Sequence, residues 1–386
     1  MRVAYRASSR RTSRSPKPRA RVRLGLALAC VSVLLTGAAT GCTGSSAGQP
    51  VPPGPSAGSP ASGPPAPVQS STVHSGTVPV WGTATHLSYS QGPEDPTAVS
   101  CASATFCMAV LGSGYAAVYD GTRWSKPVAL PSSDGEPDSV SCPTAKFCMA
   151  VDTRDSSAFL FNGGTWSPAP GINDAAASTQ AGMASVSCPS STFCVAVDNG
   201  SNAFTFNGTS WSPATAIDPG NELSTVSCPS TSFCAAVDYG PNVVTFNGTS
   251  WSKPSAIDPG TYLQAVSCAS AGFCVAIDRK GNALTFNGRT WSKPVNADPD
   301  GLTMGEGGIS WPMVSCPTSH FCAAVDGASG NVVTFDGTSW TAPVNIDSKA
   351  ANSVSGPVLV FLMSVSCRSA MFCVAGDSIG NAFVRS

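Results

Sequence analysis

Three observations in the sequence predict an all-β fold, a seven-bladed β-propeller with four-stranded antiparallel blades. A pair of cysteines with five residues between them occurs seven times, and successive pairs begin 40 to 51 residues apart. Each copy has turn signals between short apolar or alternating runs, which is typical of β-hairpins. No long stretch has helical periodicity. A repeat of about 40–45 residues that holds four short strands has the size of one propeller blade.

Each copy supplies the same four strands in the same order. In residues 226–251, strand a surrounds V-S-C, strand b is F-C-A-A-V-D, strand c is the alternating run that ends in T-F, and strand d begins at Trp251. An Asp that begins the b–c connection is followed by a Gly-Asn-type turn. Asn-Gly or Asp-Gly joins strands c and d, and we expect a type I′ turn there, with positive φ at both central residues.

The two ends of the repeat region predict a closed ring. The last copy stops at strand c, residues 381–386, and has no Trp strand after it. An isolated strand d with Trp81 precedes the first copy, in residues 78–87. We therefore expect the N-terminal strand to complete the last blade, which leaves no exposed sheet edge. This closure resembles that of WD40-type propellers, although the Gly-His and Trp-Asp motifs are absent.

The N-terminal segment is typical of an export signal. Residues 1–23 carry eight Arg, Lys17 and no acidic residue, and an apolar run of 16 residues follows at 24–39. A membrane-spanning helix needs about 20 residues, so the run is a little short. The segment A-A-T-G-C, which ends at Cys42, resembles a bacterial lipobox with Ala39 where Leu is usual. An ordinary secretory signal and an uncleaved anchor are the alternatives, and the Sec or Tat route stays open.

These patterns divide the chain into three segments. We expect a signal peptide of the lipoprotein type at 1–41, a Pro/Gly/Ser-rich linker at 42–77 anchored by lipid on Cys42, and the propeller at 78–386. The protein would then lie outside the cell, on the outer face of the cell membrane, as a monomer. Nine of the 21 Lys and Arg lie in residues 1–41, which leaves 12 against 22 Asp and Glu, a formal charge of −10. Such an acidic domain offers no surface for nucleic acid.

Each cysteine pair spans a predicted a–b hairpin, where two Cα atoms can approach within disulfide range. Because exported proteins fold under oxidising conditions, we expect one disulfide in each blade. Zinc is the alternative, but the spacing is unusual for zinc and no histidine recurs beside it. Seven equal pairs also argue against a redox role. The expected disulfides are Cys101–Cys107, Cys142–Cys148, Cys188–Cys194, Cys228–Cys234, Cys268–Cys274, Cys316–Cys322 and Cys367–Cys373.

Other recurrent residues have structural explanations. We expect the Phe before each second Cys and the Val of V-S-C to pack between blades. The Asp at the end of strand b, for example Asp198 or Asp278, could belong to a ring of metal ligands. The preferred interpretation is that it accepts backbone hydrogen bonds at the start of the b–c turn. No metal and no cofactor are therefore expected.

The c–d connections resemble the Asp-box (BNR) turns of the sialidase-like repeat superfamily. The segments are T-F-N-G-T-S-W at 205–211 and 245–251, Y-D-G-T-R-W at 119–124 and F-D-G-T-S-W at 335–340. The spacing is one residue tighter than in the Asp box, and Asn mostly replaces Asp. The resemblance covers residues 78–386 and implies a propeller, with glycan cleavage as one activity. That activity would need an arginine cluster, a Glu-activated Tyr and an acidic Asp, and no such set is evident.

Length variation places the expected binding site on one face. From the second Cys to Trp, the span is 17 or 18 residues in the six copies that have both, whereas from Trp to the next Cys it varies from 17 to 27. The variable span holds the d–a loop, which shares a face with the b–c turn. The longest loops, 296–313 and 345–363, are neighbours in the ring. We expect them either to plug the channel or to carry the ligand-binding residues, namely Trp311, Met304, Glu306, Met313 and Phe361.

The sequence thus predicts a non-catalytic binding module at the cell surface, which recognises a protein partner or a polysaccharide through the d–a/b–c loop face. A sialidase-like glycan-cleaving enzyme and a purely structural scaffold are the alternatives. Two or more carboxylates that converge in a pocket on that face would favour the enzyme.

Overall fold

The computed structural model describes residues 79–87, 96–131, 137–154, 156–169, 172, 181–297, 313–326, 329–348 and 360–386. These residues form 28 strands in seven four-stranded antiparallel sheets. The predicted all-β seven-bladed propeller is therefore confirmed. In this part of the chain, no helix is long and apolar enough to cross a membrane.

The blades repeat one strand order, a-b-c-d, from the channel outward. Strands a are β2 (Pro96–Ser103), β6 (Pro137–Thr144), β10 (Met183–Ser190), β14 (Leu223–Ser230), β18 (Leu263–Ser270), β22 (Met313–Thr318) and β26 (Leu362–Ser369). Strands b are β3 (Phe106–Leu111), β7 (Phe147–Asp152), β11 (Phe193–Asp198), β15 (Phe233–Asp238), β19 (Phe273–Asp278), β23 (Phe321–Val325) and β27 (Phe372–Asp377).

The outer strands are shorter. Strands c are β4 (Tyr115–Tyr119), β8 (Ala158–Phe161), β12 (Asn202–Phe206), β16 (Asn242–Phe246), β20 (Asn282–Phe286), β24 (Asn331–Phe335) and β28 (Asn381–Arg385). Strands d are β5 (Val128–Ala129), β9 (Trp166–Pro168), β13 (Thr215–Ala216), β17 (Ser255–Ala256), β21 (Val295–Asn296), β25 (Val344–Asn345) and β1 (Thr85–His86). We number the blades one to seven from β2–β5 to β26–β28, and the seventh includes β1.

The ring is closed by the N-terminal strand, as predicted. Strand β1 pairs with β28, with Thr85 opposite Ala382 and His86 opposite Asn381. Trp81 forms a bridge with Arg385, where the other blades pair a Trp with a Phe or Tyr of strand c. Neighbouring a strands contact each other all the way round, including β26 and β2. The described propeller therefore has no open seam.

The hydrophobic core lies between the blades. Strand b is buried on both faces, which is why it appears in the sequence as a continuous apolar run. One core cluster joins Val195 and Val197 of the third blade to Leu223, Val226 and Phe246 of the fourth. The Val of every V-S-C is 5–8% exposed, which confirms the predicted packing role of this residue.

Serines of V-S-C connect the blades through the inner strands. In each blade, the backbone N–H of the first Cys donates to the Oγ of the V-S-C serine in the preceding blade, at 2.9–3.0 Å. These N–H groups lie on the channel side of strand a, where no further strand can accept them. The acceptors are Ser366, Ser100, Ser141, Ser187, Ser227, Ser267 and Ser315.

The seven predicted disulfides are all present. Each joins strands a and b of one blade, across a hairpin, with Cα atoms 3.9–4.1 Å apart. The second Cys of each pair is fully buried and the first is 5–8% exposed. The disulfides therefore belong to the inter-blade core and leave no thiol of these pairs available for zinc.

The Phe before each second Cys packs between blades, as predicted. Phe193 stacks on Phe246 of the next blade at a centroid distance of 6.3 Å, and Phe246 contacts Trp251 of its own blade at 5.3 Å. In the seventh blade, Arg385 replaces the aromatic residue of strand c, and its guanidinium carbon lies 5.1 Å from the ring centre of Phe321 in the sixth blade. A chain of ring contacts therefore runs through the outer half of the propeller.

The predicted type I′ geometry of the c–d turns is wrong. Only the glycine has positive φ, for example +93° at Gly248, and the described non-glycine residues with positive φ are Ser156 and Ser201. Instead, Asn247 Oδ1 accepts hydrogen bonds from the N–H groups of Thr249 and Ser250, at 3.0 and 2.9 Å. This side-chain bonding replaces the second left-handed residue. Asp120 and Asp336 bind their turns in the same way.

Candidate functional site

The b–c turns form one rim of the propeller, and their aspartates are engaged in holding these turns. Asp198 Oδ1 accepts the N–H groups of Gly200 and Asn202, at 2.9 and 2.7 Å, and the side-chain amide of Asn202 donates to Oδ2 at 3.0 Å. The same arrangement occurs at Asp238, Asp278 and Asp377. This confirms the predicted turn role. Among the described residues, no three His, Cys, Asp or Glu are grouped to hold a metal.

A cavity of about 350 Å³ opens at the mouth of the central channel on this same face. Its walls come from the beginning of the a strands and from the residues that follow the b strands. The lining residues are Asp138, Thr153, Ala184, Asn199, Ser224, Thr225, Tyr239, Gln264, Met313 and Met363. We call this cavity the channel mouth. The second to fifth blades of the propeller supply hydroxyl, amide and carboxylate groups to the mouth, whereas the sixth and seventh blades supply methionines.

Asp138 is the one carboxylate among the described lining residues of the channel mouth. Thr153, which follows strand b of the same blade, donates its backbone N–H to Asp138 Oδ2 at 3.2 Å and its hydroxyl to the same oxygen. The carboxylate is therefore fixed in place on the rim. A single carboxylate can orient a polar ligand, but the two-carboxylate geometry of glycosidases is not formed by these residues.

Two tyrosines and an arginine flank the polar side of the mouth. The guanidinium carbon of Arg279 lies 5.7 Å from the ring centre of Tyr262, and Tyr262 is 53% exposed. Arg279 Nε is buried without a hydrogen-bond partner. Tyr239, a lining residue, has its pKa raised, mainly by burial and also by the charges of Glu222 and Asp138, against a hydrogen bond with Ser224 and the charge of Arg279. Tyr239 is therefore a neutral hydrogen-bonding group.

Gln264 is the most enclosed polar residue of the lining. The residue is 4% exposed, and its Oε1 has no hydrogen-bond partner in the protein. Its backbone carbonyl accepts the Ser224 hydroxyl at 2.5 Å, which joins the fourth and fifth blades next to the channel. A buried amide without a partner costs free energy unless a water or a ligand satisfies it.

The structure places two of the five predicted binding residues. Met313 is half-buried at the start of β22, packs against the cores on both sides of its blade and lines the channel mouth. Phe361 is half-buried just before β26, where its N–H donates to Ser378 Oγ at 2.9 Å and its carbonyl accepts the Ser378 N–H at 2.7 Å. It does not line the mouth. Trp311, Met304 and Glu306 lie outside the described residues.

Sequence reasoning missed Tyr239, Tyr262, Arg279 and Gln264. A signal for them existed in the differences between copies. Two residues before V-S-C, the copies have Asp138, Ala184, Ser224, Gln264 and Met363, and directly after the b-strand Asp they have Thr153, Asn199, Tyr239 and Arg279. Variation in an otherwise uniform repeat marks positions that the repeat fold does not require, and the structure brings most of these to one mouth.

No family model matches the chain, and no curated protein matches it. Among solved structures it is similar in fold to YCF48 bound to D1 peptide, with 16% identity, a TM-score of 0.58, and coverage of 79% of this chain and 96% of that chain. It is also similar to the WD40 propeller domain of Doa1, with 12% identity, a TM-score of 0.58, and 78% and 96% coverage. For U3-55K the identity is 10%, the TM-score 0.60 and the coverage 78% and 98%. At these identities the comparisons show the propeller fold.

Proposed function

We propose that this chain is a non-catalytic binding module on the outer face of a cell membrane, anchored by a lipid on Cys42, which recognises its ligand through the d–a/b–c loop face. The observation that supports this most is the channel mouth. It combines fixed polar groups, an enclosed amide without a partner and two methionines on a rigid ring. Preorganised polar groups in a concave, partly apolar site are typical of ligand recognition.

A segment of a partner protein is the preferred ligand, and a polysaccharide is the second. YCF48, a fold neighbour, has been solved with a bound D1 peptide, which supports a peptide ligand for this chain as well. The mixed character of the mouth is consistent with this choice, because Asn, Gln and hydroxyl groups can bind peptide amides while the methionines accept apolar side chains. We also infer that the c–d turns are of the Asp-box type, which superposition of experimentally determined turns would test.

The ligand class can be tested with peptide and glycan arrays probed with the protein, three test variants and one control variant. In Met363→Ala and Met313→Ala the apolar side of the mouth is truncated, and Trp311→Ala tests the adjoining loop. Met371→Ala is the matched control, since Met371 is 54% exposed at an a–b hairpin on the opposite face. We expect the mouth variants to weaken binding about tenfold, which corresponds to about 1.4 kcal/mol. The control should bind like the parent.

Each alternative gives a different result. Equal affinity for the parent and all mouth variants would mean that the site is misplaced, and no binding on either array would favour a structural scaffold. Hydrolysis of a bound glycan by the parent would favour the glycan-cleaving enzyme. Lipidation is tested separately, because Cys42→Ala should move the protein from the membrane fraction to the medium.

A further inference from the structure

Facing aspartates occur at three blade seams. One follows strand d of a blade, and the other ends strand b of the next blade, close enough for each pair to interact electrostatically. All six carboxylates are at most 7% exposed. Two buried carboxylates cannot both carry a charge at short range without compensation. The pairs are Asp218 with Asp238, Asp258 with Asp278, and Asp347 with Asp377.

Both carboxyl oxygens of Asp278 already accept hydrogen bonds from the b–c turn. Its Oδ1 accepts the N–H groups of Lys280 and Asn282, both at 2.8 Å, and its Oδ2 accepts the Asn282 side-chain amide at 2.7 Å. These three donors hold the carboxyl group of Asp278 in the b–c turn. The carboxyl groups of Asp258 and Asp278 lie close enough to share a hydrogen bond, and Asp258 Oδ2 is buried and receives no donor from the protein. A bond between two carboxyl groups requires a proton on one of them.

The preceding seam differs in its turn, although Asp218 Oδ2 is likewise buried without a donor from the protein. There, the Asn221 side-chain amide donates to Asp218 Oδ1 at 2.9 Å, within the turn D-P-G-N. The equivalent turn after β17 is D-P-G-T, so Thr261 stands where Asn221 would be. The side-chain amide that donates to Asp218 therefore has no counterpart at Asp258.

We propose that Asp258 and Asp278 share one proton across the seam between the fourth and fifth blades, and that loss of this proton as the pH rises loosens the loop 257–262 on the d–a/b–c face. The loop carries the exposed Tyr262, whose carbonyl accepts the Arg279 N–H at 2.9 Å. Repulsion between two charged aspartates would act directly on this contact. The device would therefore make one side of the rim sensitive to acidity.

The charges around Asp258 support the direction of this effect. Burial, the hydrogen bond to Asp278 and the negative charge of Asp278 raise the pKa of Asp258 from its ordinary value of 3.8 to about 6, and Lys280 opposes them. The other ionisable groups of the packed turns are Arg279, which lies over the Tyr262 ring, and Tyr239 of the fourth blade. A carboxyl group with a raised pKa binds more protons in the folded state. Stability must therefore fall as the pH rises from about 4 to about 6, and then level off.

Asp258→Asn tests the proposal on the full chain, because the amide supplies a permanent donor to Asp278 without a titrating proton. A shift of two pKa units corresponds to about 100-fold in the folding equilibrium constant. We expect the folding equilibrium constant of the parent, measured by urea unfolding, to fall by up to that factor between pH 4 and 7. For the variant, the fall should be at least tenfold smaller. Some pH dependence should remain, since burial and Asp347 also raise the pKa of Asp377 to about 6.

Asp120→Asn is the matched control. Asp120 is exposed, and its pKa is lowered to about 2 by hydrogen bonds from Thr122 and Arg123, so its titration lies below this pH range. The stability of the control should depend on pH as that of the parent does. If the stability of Asp258→Asn depended on pH as that of the parent does, the proposal would be overturned. Stabilisation of the parent by Ca²⁺ at pH 7.5, lost in Asp258→Asn, would also overturn it, since a cation would then occupy the place of the proton.

Amide hydrogen exchange on the parent gives a test that needs no variant. The Arg279 amide, bonded to Tyr262, should lose protection between pH 5 and 7 after correction for its intrinsic exchange rate. The Tyr239 amide makes the equivalent bond to Glu222 at 2.8 Å, at the seam where Asn221 supplies the donor. It should lose less protection. Equal losses at both seams would contradict the shared proton.

Discussion

The backbone N–H of Cys101 donates to the hydroxyl oxygen of Ser366 at 3.0 Å, across 265 residues of sequence. This bond joins the first blade to the last, and the same bond at the six other seams completes a ring around the channel. An innermost strand presents N–H groups that no further strand can accept. The serines satisfy seven of these groups without adding a strand.

Ser366→Ala should lower the free energy of unfolding by about 1–2 kcal/mol, because the partly buried N–H of Cys101 would lose its acceptor. Urea unfolding followed by tryptophan fluorescence measures the change. Ser113→Ala, in an exposed turn of the first blade, is the control and should change stability by less than about 0.5 kcal/mol. Equal stability of Ser366→Ala and the parent would mean that water replaces the serine at no cost.

The architecture could be predicted because it depends on local patterns that occur seven times. Cysteine spacing, turn residues and the position of Trp81 each specify a feature within one blade or at a chain end. The role of the V-S-C serine could not be predicted in this way, since its partner lies in another copy and the serine itself resembles any polar strand residue. The c–d turn was predicted incorrectly because Asn-Gly is compatible with two turn geometries, and side-chain bonding selects between them.

The channel mouth lies on the face that loop lengths indicated, but most of its lining residues were not among those predicted from the sequence. The length of the d–a loops indicated 296–313 and 345–363 as the binding loops. Met313, one of the residues proposed there, lines the channel mouth. The other lining residues come from single positions in copies of ordinary length, such as Gln264 and Tyr239. Their convergence depends on the circular arrangement of the blades, which brings together positions about 40 residues apart.

Removal of residues 78–90 should open the ring. Strand β1 and the bridge between Trp81 and Arg385 would be lost, and strand c of the seventh blade would become an exposed edge. Exposed edges pair with other chains, so we expect both a lower thermal midpoint and concentration-dependent aggregation. Calorimetry and light scattering measure these two effects.

Removal of residues 1–77 is the control for this truncation, because it leaves the closing strand intact. The shorter chain should melt within a few degrees of the parent propeller and stay dispersed. If the chain that lacks 78–90 were to melt like this control, ring closure through β1 would contribute nothing to stability.

Gly248→Ala and Gly220→Ala form a pair that separates backbone strain from packing. Both glycines have positive φ, +93° and +95°, so an alanine at either position costs about 1–2 kcal/mol in conformational energy. At Gly248 a Cβ would also lie 3.2 Å from Ser232 Cα in the a–b turn of the same blade, whereas at Gly220 it would meet nothing within 4 Å. We expect Gly248→Ala to cost about 1 kcal/mol more, because packed backbone can yield only slightly.

The comparison is made by urea unfolding of both variants under the same conditions. A larger loss at Gly248 would show that the c–d turn packs on the a–b turn beside the disulfide, as the close approach of Gly248 to Ser232 indicates. Equal losses would mean that the two turns can separate freely, and the glycine would then be required for its φ alone. In that case, an Asn at position 248 should be tolerated better than Ala, since Asn adopts positive φ more readily.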